Sequence, residues 1–296
     1  MLWTETHLPP AWLRFCAGTL LAHAAGAVEV PAPPDKSGFT LWNPTPRAWL
    51  RELSADRPDK TESAYTVDAG HFQLEMDLVS YAHDRSQANG SDVVLNAWSL
   101  APMNLKLGIL NHLDVQLAVE TYNVVRTQDR VAGTAQRQSG YGDTVLRVKQ
   151  NLWGNDGGPT AMALMPFVKF PTSQDDLGND AFEGGLILPF ALALPRGWDL
   201  GATFAVAGLR DEIGSDYHAG FAQSVTLGHN LVGELAGYVE FFAEVSAERD
   251  VPWIGTVDLG LTYGLTSDLQ LDAGVNLGVT DAALGVNPFV GLTWRY

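Results

Sequence analysis

Cysteine is almost absent. The 296 residues hold one, Cys16, which excludes a disulfide framework, a Cys-based metal cage and thiol chemistry from everything downstream of it. Basic residues are scarce as well. Eighteen Lys and Arg stand against 34 Asp and Glu, a formal charge of −16, so nucleic acid is excluded as a partner because phosphate binding needs a basic footprint. No apolar run reaches the 18 or more residues of a membrane-spanning helix. Walker, GxSxG, HExxH and CxxC motifs are missing too, and no cofactor or resident metal is expected. An enzyme is not expected either. Ser224 and His218 fall on one face of one expected strand but six residues apart, beyond hydrogen-bond reach at about 3.3 Å per residue.

Three regions are distinguished. In the first, 1–27, Arg14 precedes "FCAGTLLAHAAGA", a short apolar stretch closing on Ala25-Gly26-Ala27. This pattern predicts a secretory signal peptide cleaved after about Ala27. The preceding "MLWTETHLPPAWL" is long for an n-region and points to a start further downstream. In the second, 28–69, prolines at 31, 33, 34, 44, 46 and 58 argue against regular sheet. A short helix is expected near "RAWLREL". Phe39, Leu41, Trp42 and Trp49 dot this extension with apolar residues, so it is expected to act as a periplasmic extension or plug.

From 70 to 296 the pattern has period two. "HFQLEMDL" sets Phe72, Leu74, Met76 and Leu78 against His71, Gln73, Glu75 and Asp77, the alternation of a strand with one apolar and one polar side. "WIGTVDLGLTY" and "LQLDAGVNLGVT" repeat it. About twelve strands result, near 70–83, 92–109, 113–126, 140–153, 160–171, 182–194, 198–210, 216–229, 234–248, 252–265, 268–280 and 285–296. Pro166 and Pro189 should mark bulges or local breaks in the fifth and sixth. Short turns alternate with longer polar loops, the layout of an outer-membrane barrel. A soluble sandwich alternates too, but with charge outside. Here the second face is rich in Gly, Ser, Thr and Asn, and Trp198, Tyr217, Trp253, Tyr263, Trp294 and Tyr296 stand at strand ends, as in membrane-interface girdles. The expected fold class is therefore all-β, an antiparallel transmembrane β-barrel in the outer membrane, with lipid as its surroundings.

On this reading His71, Glu75 and Asp77 face the lumen. Glu234, Glu240 and Glu244 form an acidic row continued by Asp258 and Asp272, and Lys106, Arg147 and Lys149 supply a basic side. Two outcomes stand open: a transverse field that orients dipolar solutes, or mutual salt bridges that stabilise the wall. Asp175, Asp176, Asp180 and Glu183 cluster in an outer loop without the spacing of a calcium site.

The stretch "RELSADRPDKTESAYTVDAGHFQLEMDL", with "GDTVLRVKQNLWGND", "EGGLILPFALALP", "GYVEFFAEVS" and "NPFVGLTWRY", resembles the outer-membrane transporter family named for the meta-cleavage pathway of phenol degradation. The likeness runs from about Asn43 to Tyr296. The family pattern carries Pro where Ala64 stands and usually Phe where Tyr296 stands. The resemblance implies an outer-membrane barrel and passive transport of small hydrophobic or aromatic solutes, with no catalytic or ligand residues to carry over. The alternative is a structural or surface-binding barrel with a closed lumen. The ending, aromatic at Trp294 and Tyr296, resembles the signal read by the outer-membrane assembly machinery.

Overall fold

The computed structural model describes residues 35–87, 90–211 and 214–296. The expected signal peptide, 1–27, and the first residues of the extension, 28–34, lie outside the described residues.

The chain from Phe72 onward is one closed antiparallel sheet. Its segments are β1 (Phe72–Ser86), β2 (Val93–Leu100), β3 (Met103–Leu110), β4 (Leu113–Val119), β5 (Tyr122–Asp129), β6 (Thr134–Gly140), β7 (Thr144–Trp153), β8 (Thr160–Phe170), β9 (Glu183–Leu194), β10 (Trp198–Arg210), β11 (Tyr217–Val232), β12 (Leu235–Ser246), β13 (Ile254–Thr266), β14 (Leu269–Gly278) and β15 (Val286–Arg295). Three pairs, β2–β3, β4–β5 and β6–β7, are halves of single strands, so the fifteen segments make the twelve strands that the alternation predicts. The break between β2 and β3 falls at Ala101, which has φ 52°, and Pro102. β15 returns to pair with β1, Gln73 opposite Arg295 and Met76 opposite Leu292, which closes the barrel.

The two prolines interrupt their ladders. Pairing of β7 with β8 skips from Arg147–Phe167 to Gln150–Leu164, around Pro166. Pairing of β8 with β9 skips from Met162–Phe190 to Met165–Ile187, around Pro189. Proline has no N–H to give the ladder. The region 127–139, expected as a loop, is instead mostly sheet, with β5 and β6 paired from Asn123–Gly140 to Asp129–Thr134. Its outward residues there are polar, which erased the apolar alternation on which the prediction relied. The expected helix at "RAWLREL" shrinks to one 3-10 turn, Arg47–Trp49.

The barrel is inside out relative to a soluble domain. Leu105, Leu117, Phe204, Phe221, Phe241, Leu259 and Val290 are exposed, whereas Glu75, Lys106, Arg147, Lys149, Glu240 and Asp258 are buried. Aromatics ring both ends. Phe72, Trp153, Trp198, Tyr263, Trp294 and Tyr296 mark the end with short turns, and Trp98, Tyr122, Tyr141, Phe182, Tyr217 and Trp253 the other. From Trp253 to Tyr263 is ten steps along one strand, roughly 25 Å once tilted, the height of an outer-membrane apolar band. Both described ends of the chain lie at the short-turn end.

Candidate functional site

The interior is not an empty tube. Residues 51–68 enter from the short-turn end, turn at mid-height and return. Arg51 stays at the rim, its Nη1 donating to Asn111 Oδ1 and Asp156 Oδ1 at 2.8 Å each. Farther in, Arg57 makes a fork on Asp272 through Nε at 2.9 Å and Nη2 at 2.7 Å, and Nη2 also reaches Asp77 at 2.6 Å. Lys60 Nζ donates to Asp258 at 2.8 Å and its backbone N–H to Glu240 at 2.7 Å. Thr61 donates to Glu240 at 2.6 Å. On the opposite wall the signs are reversed. Asp56 accepts from Lys149 at 2.6 Å and pairs with Lys106, and Glu62 accepts from Arg147 at 2.9 Å. The segment then leaves, with Asn151 donating to the Ala64 carbonyl and the Val67 N–H to Asp114.

This arrangement differs from both of the outcomes left open by the sequence. The acidic wall (Glu240, Asp258, Asp272) and the basic wall (Lys106, Arg147, Lys149) do stand apart, but neither is bare, nor do they pair chiefly with each other. The segment lies between them, presenting Arg57 and Lys60 to the acids and Asp56 and Glu62 to the bases. Arg is suited to the forked contact because its planar donors match a carboxylate in two bonds. Two glycines make room: a Cβ on Gly291 would sit 2.1 Å from Arg57 Nη2, and one on Gly201 would sit 2.9 Å from Thr61 Cγ2.

The remaining sequence-predicted residues are distributed as follows. His71, at the rim, joins its two ring nitrogens to the carbonyls of Thr45 and Tyr296. Glu75 is buried, accepting from the Asp56 N–H and pairing with Lys106. Glu244 lines a cavity described below. Glu234 departs from the expected acidic row: it lies exposed in the turn before β12, because the strand begins only at Leu235. Trp294 and Tyr296 face outward, and Trp294 meets Phe72 edge-on at 5.9 Å. In the acidic loop, Asp175 accepts from the Ser139 N–H, the carbonyls of Asp175 and Asp176 accept from Gln138, and Glu183 pairs with Lys169.

Sequence reasoning missed the residues of the insert itself. Asp56, Arg57, Asp59, Lys60 and Glu62 sit in a proline-broken stretch with no periodicity, although their alternating signs were readable. Burial raises two of their carboxyls. Desolvation, with Asp258 and Glu62 nearby and a hydrogen bond from Thr226 opposing, pushes Asp59 up to about 8. Desolvation, against the pull of Arg147, pushes Glu62 up to about 7. Burial would raise Asp56 as well, but Lys106 and Lys149 override it and hold that carboxyl well below its usual range.

Above the insert the interior changes character. Val145, Met165, Phe167, Ile187, Ala205, Ala207, Leu209, Ala222 and Phe242 form one apolar cluster on the inner face of the outer half. Leu177 and Leu284, from outer loops, fold over a second cluster of Ala82, Leu95, Ala97 and Val125. Between these lies a cavity of about 120 Å³. Phe242, Ile254, Leu284 and Phe289 give it an apolar side, Ser80, Ser99, Asn276 and Asn287 a neutral polar side, Asp77, Glu120 and Glu244 carboxylates, and Arg57 and Lys60 its floor. Lys60 Nζ lies 4.8 Å from the Phe242 ring centroid, and Arg57 Cζ 5.9 Å from that of Phe289.

Among solved structures, the COG4313 outer membrane channel from Pseudomonas putida F1 is similar at 14% identity and a TM-score of 0.51, over 76% of this chain and 93% of that one. The NanC porin gives 8% identity and 0.47, over 74% and 99%. A TodX mutant, a monoaromatic hydrocarbon channel, gives 10% and 0.39, over 76% and 88%. The first likeness shows the shared closed β-barrel fold. No curated protein matches. Residues 55–296, insert and barrel together, match the model of one family, and the chain belongs to it: "Putative MetA-pathway of phenol degradation".

Proposed function

We propose that the protein is a passive outer-membrane channel for small hydrophobic or aromatic solutes, closed at its periplasmic end by residues 51–68. The observation that carries this reading is the division of the lumen. Its outer half offers an apolar cluster and a cavity with one apolar side, while its inner half is filled by a charge-matched insert. An aromatic ring would meet Phe242 and Phe289 while a hydroxyl on it meets Asn276, Asn287 or Ser99. A filled and fully charged lumen would offer such a solute nothing. The family's description points the same way. The surroundings are outer-membrane lipid, and the C-terminal strand is the element that the assembly machinery reads.

Transport rather than catalysis is the role proposed. Ser224 hydrogen-bonds Thr61 of the insert at 2.7 Å, and His218 turns to Asp211 at 2.7 Å, so these two are not joined as nucleophile and base. The test is uptake of phenol and toluene into liposomes bearing the purified barrel, with single-channel conductance in planar bilayers beside it. Uptake above protein-free liposomes and a small conductance that grows when residues 28–69 are deleted are expected. Neither uptake nor conductance in either form would favour the closed-lumen barrel.

A further inference from the structure

We propose that Asp211, His218 and Glu248 form a binding site for a first-row divalent transition-metal cation, of which Zn²⁺ is the reference, at the outer mouth of the barrel. The three come from three neighbouring strands. His218 is the second residue of β11 and stands opposite Leu209 of β10. Asp211 follows β10 directly, its N–H donating to the Asp216 carbonyl at 3.0 Å. Glu248 follows β12, placed beside His218 by the bond from the Ala247 N–H to the Ala219 carbonyl at 2.8 Å. His218 shares its face of β11 with the buried Gly220, Ala222 and Ser224, so the cluster points inward, over the apolar outer lumen.

The geometry of the cluster calls for a cation. One imidazole nitrogen, His218 Nδ1, is 2.7 Å from Asp211 Oδ1 and 3.6 Å from Glu248 Oε2. One ligand atom from each residue lies within 4.8 Å of those of the other two. A single N–H satisfies one carboxylate. The second carboxylate then faces the same nitrogen with no proton to receive and a like charge beside it. A divalent ion in their midst would satisfy all three. At Zn–N and Zn–O distances of about 2.0–2.2 Å, tetrahedral ligands stand roughly 3.3 Å apart. The Glu248 contact is already near that spacing, and the Asp211 contact needs to open by about 0.6 Å. The imidazole decides the class of ion, since Ca²⁺ and Mg²⁺ prefer oxygen alone while Zn²⁺ and its neighbours take nitrogen with oxygen. Three protein ligands leave a fourth position for water or a solute in transit. The bound ion would tie Asp211, at the end of β10, to Glu248, just after β12, across the intervening β11.

The test is calorimetric titration of the chelator-treated, detergent-purified barrel with Zn²⁺, and separately with Ca²⁺ and Mg²⁺. One Zn²⁺ per chain is expected, bound more tightly than either hard cation and raising the thermal midpoint. His218→Ala and Glu248→Gln should each weaken Zn²⁺ binding by about tenfold or more and abolish the thermal shift, while both variants keep the heat-dependent gel mobility of a folded barrel. No Zn²⁺ binding by the native protein, Zn²⁺ binding unchanged in His218→Ala or in Glu248→Gln, or Ca²⁺ binding as tight as Zn²⁺ would each overturn the assignment.

Discussion

Replacing Asp56 by Asn tests the idea that charge matching holds the insert in place. The substitution keeps the shape and keeps an acceptor for the Ser63 N–H, which now reaches Asp56 Oδ1 at 2.9 Å. It removes the anion that faces Lys149 at 2.6 Å and pairs with Lys106. Lys106 retains Glu75, while Lys149 is left buried without its carboxylate. Breaking a buried pair from one side costs about 3–5 kcal/mol, because the orphaned charge stays out of water. At 1.4 kcal/mol per factor of ten, the population with an undocked insert should rise by roughly two to three and a half powers of ten. Two assays read this: the frequency of large-conductance openings in planar bilayers, and tryptic cleavage after Lys60, which docking protects. Asp56→Asn combined with Lys149→Met removes both charges and should recover much of the protection. The reasoning is refuted if Asp56→Asn opens no more often than the native protein, or if the double variant is no better than the single one.

Three further predictions follow from the same interior. Asp59 and Glu62 hold their protons more tightly when docked than when free, so their contribution to docking is complete below the ordinary carboxyl values of 3.8 and 4.5 and is lost as pH rises toward about 8 and about 7. Open probability should therefore climb between about pH 5 and about pH 8, and a profile unchanged by Asp59→Asn would count against it. Gly291→Ala forces a methyl against the Arg57 guanidinium and the Met76 carbonyl; it should lower the thermal midpoint and raise tryptic cleavage after Lys60, docking losing about 3–5 kcal/mol if the forked pair is lost, and native protection would contradict this. Removal of Tyr296, whose N–H and carbonyl bond Phe72, should lower the yield of heat-modifiable barrel in outer-membrane fractions, with unchanged yield excluding a role in assembly.

The wall was legible in the sequence because lipid outside and water-like polarity inside impose a strict period of two. "HFQLEMDL" and "NPFVGLTWRY" even showed the two strands that meet at the seam, Leu74 lying opposite Trp294. The ladder beyond the membrane at 127–139 was not legible, since water on both sides leaves no contrast between faces. The insert was hidden for another reason. Its partners are set by register across the barrel, and no local pattern encodes that Arg57 will find Asp272. His218 shows the same limit. Along its own strand it suggested only Ser224, six residues away, whereas its partners came from the two flanking strands.

The long reach of the insert also orders events in time. Arg57 is synthesised early, yet its carboxylate on β14 lies 215 residues later in the chain, and its other partner, Asp77, stands on β1, which β15 must flank to close the barrel. Contacts so distant in sequence form late, after the intervening chain has been ordered. The first part of the chain is thus the last to settle. Asp56, Arg57, Lys60 and Glu62 find their complements together only in a barrel whose twelve strands have closed in the correct register, so docking of the insert reports that assembly has finished.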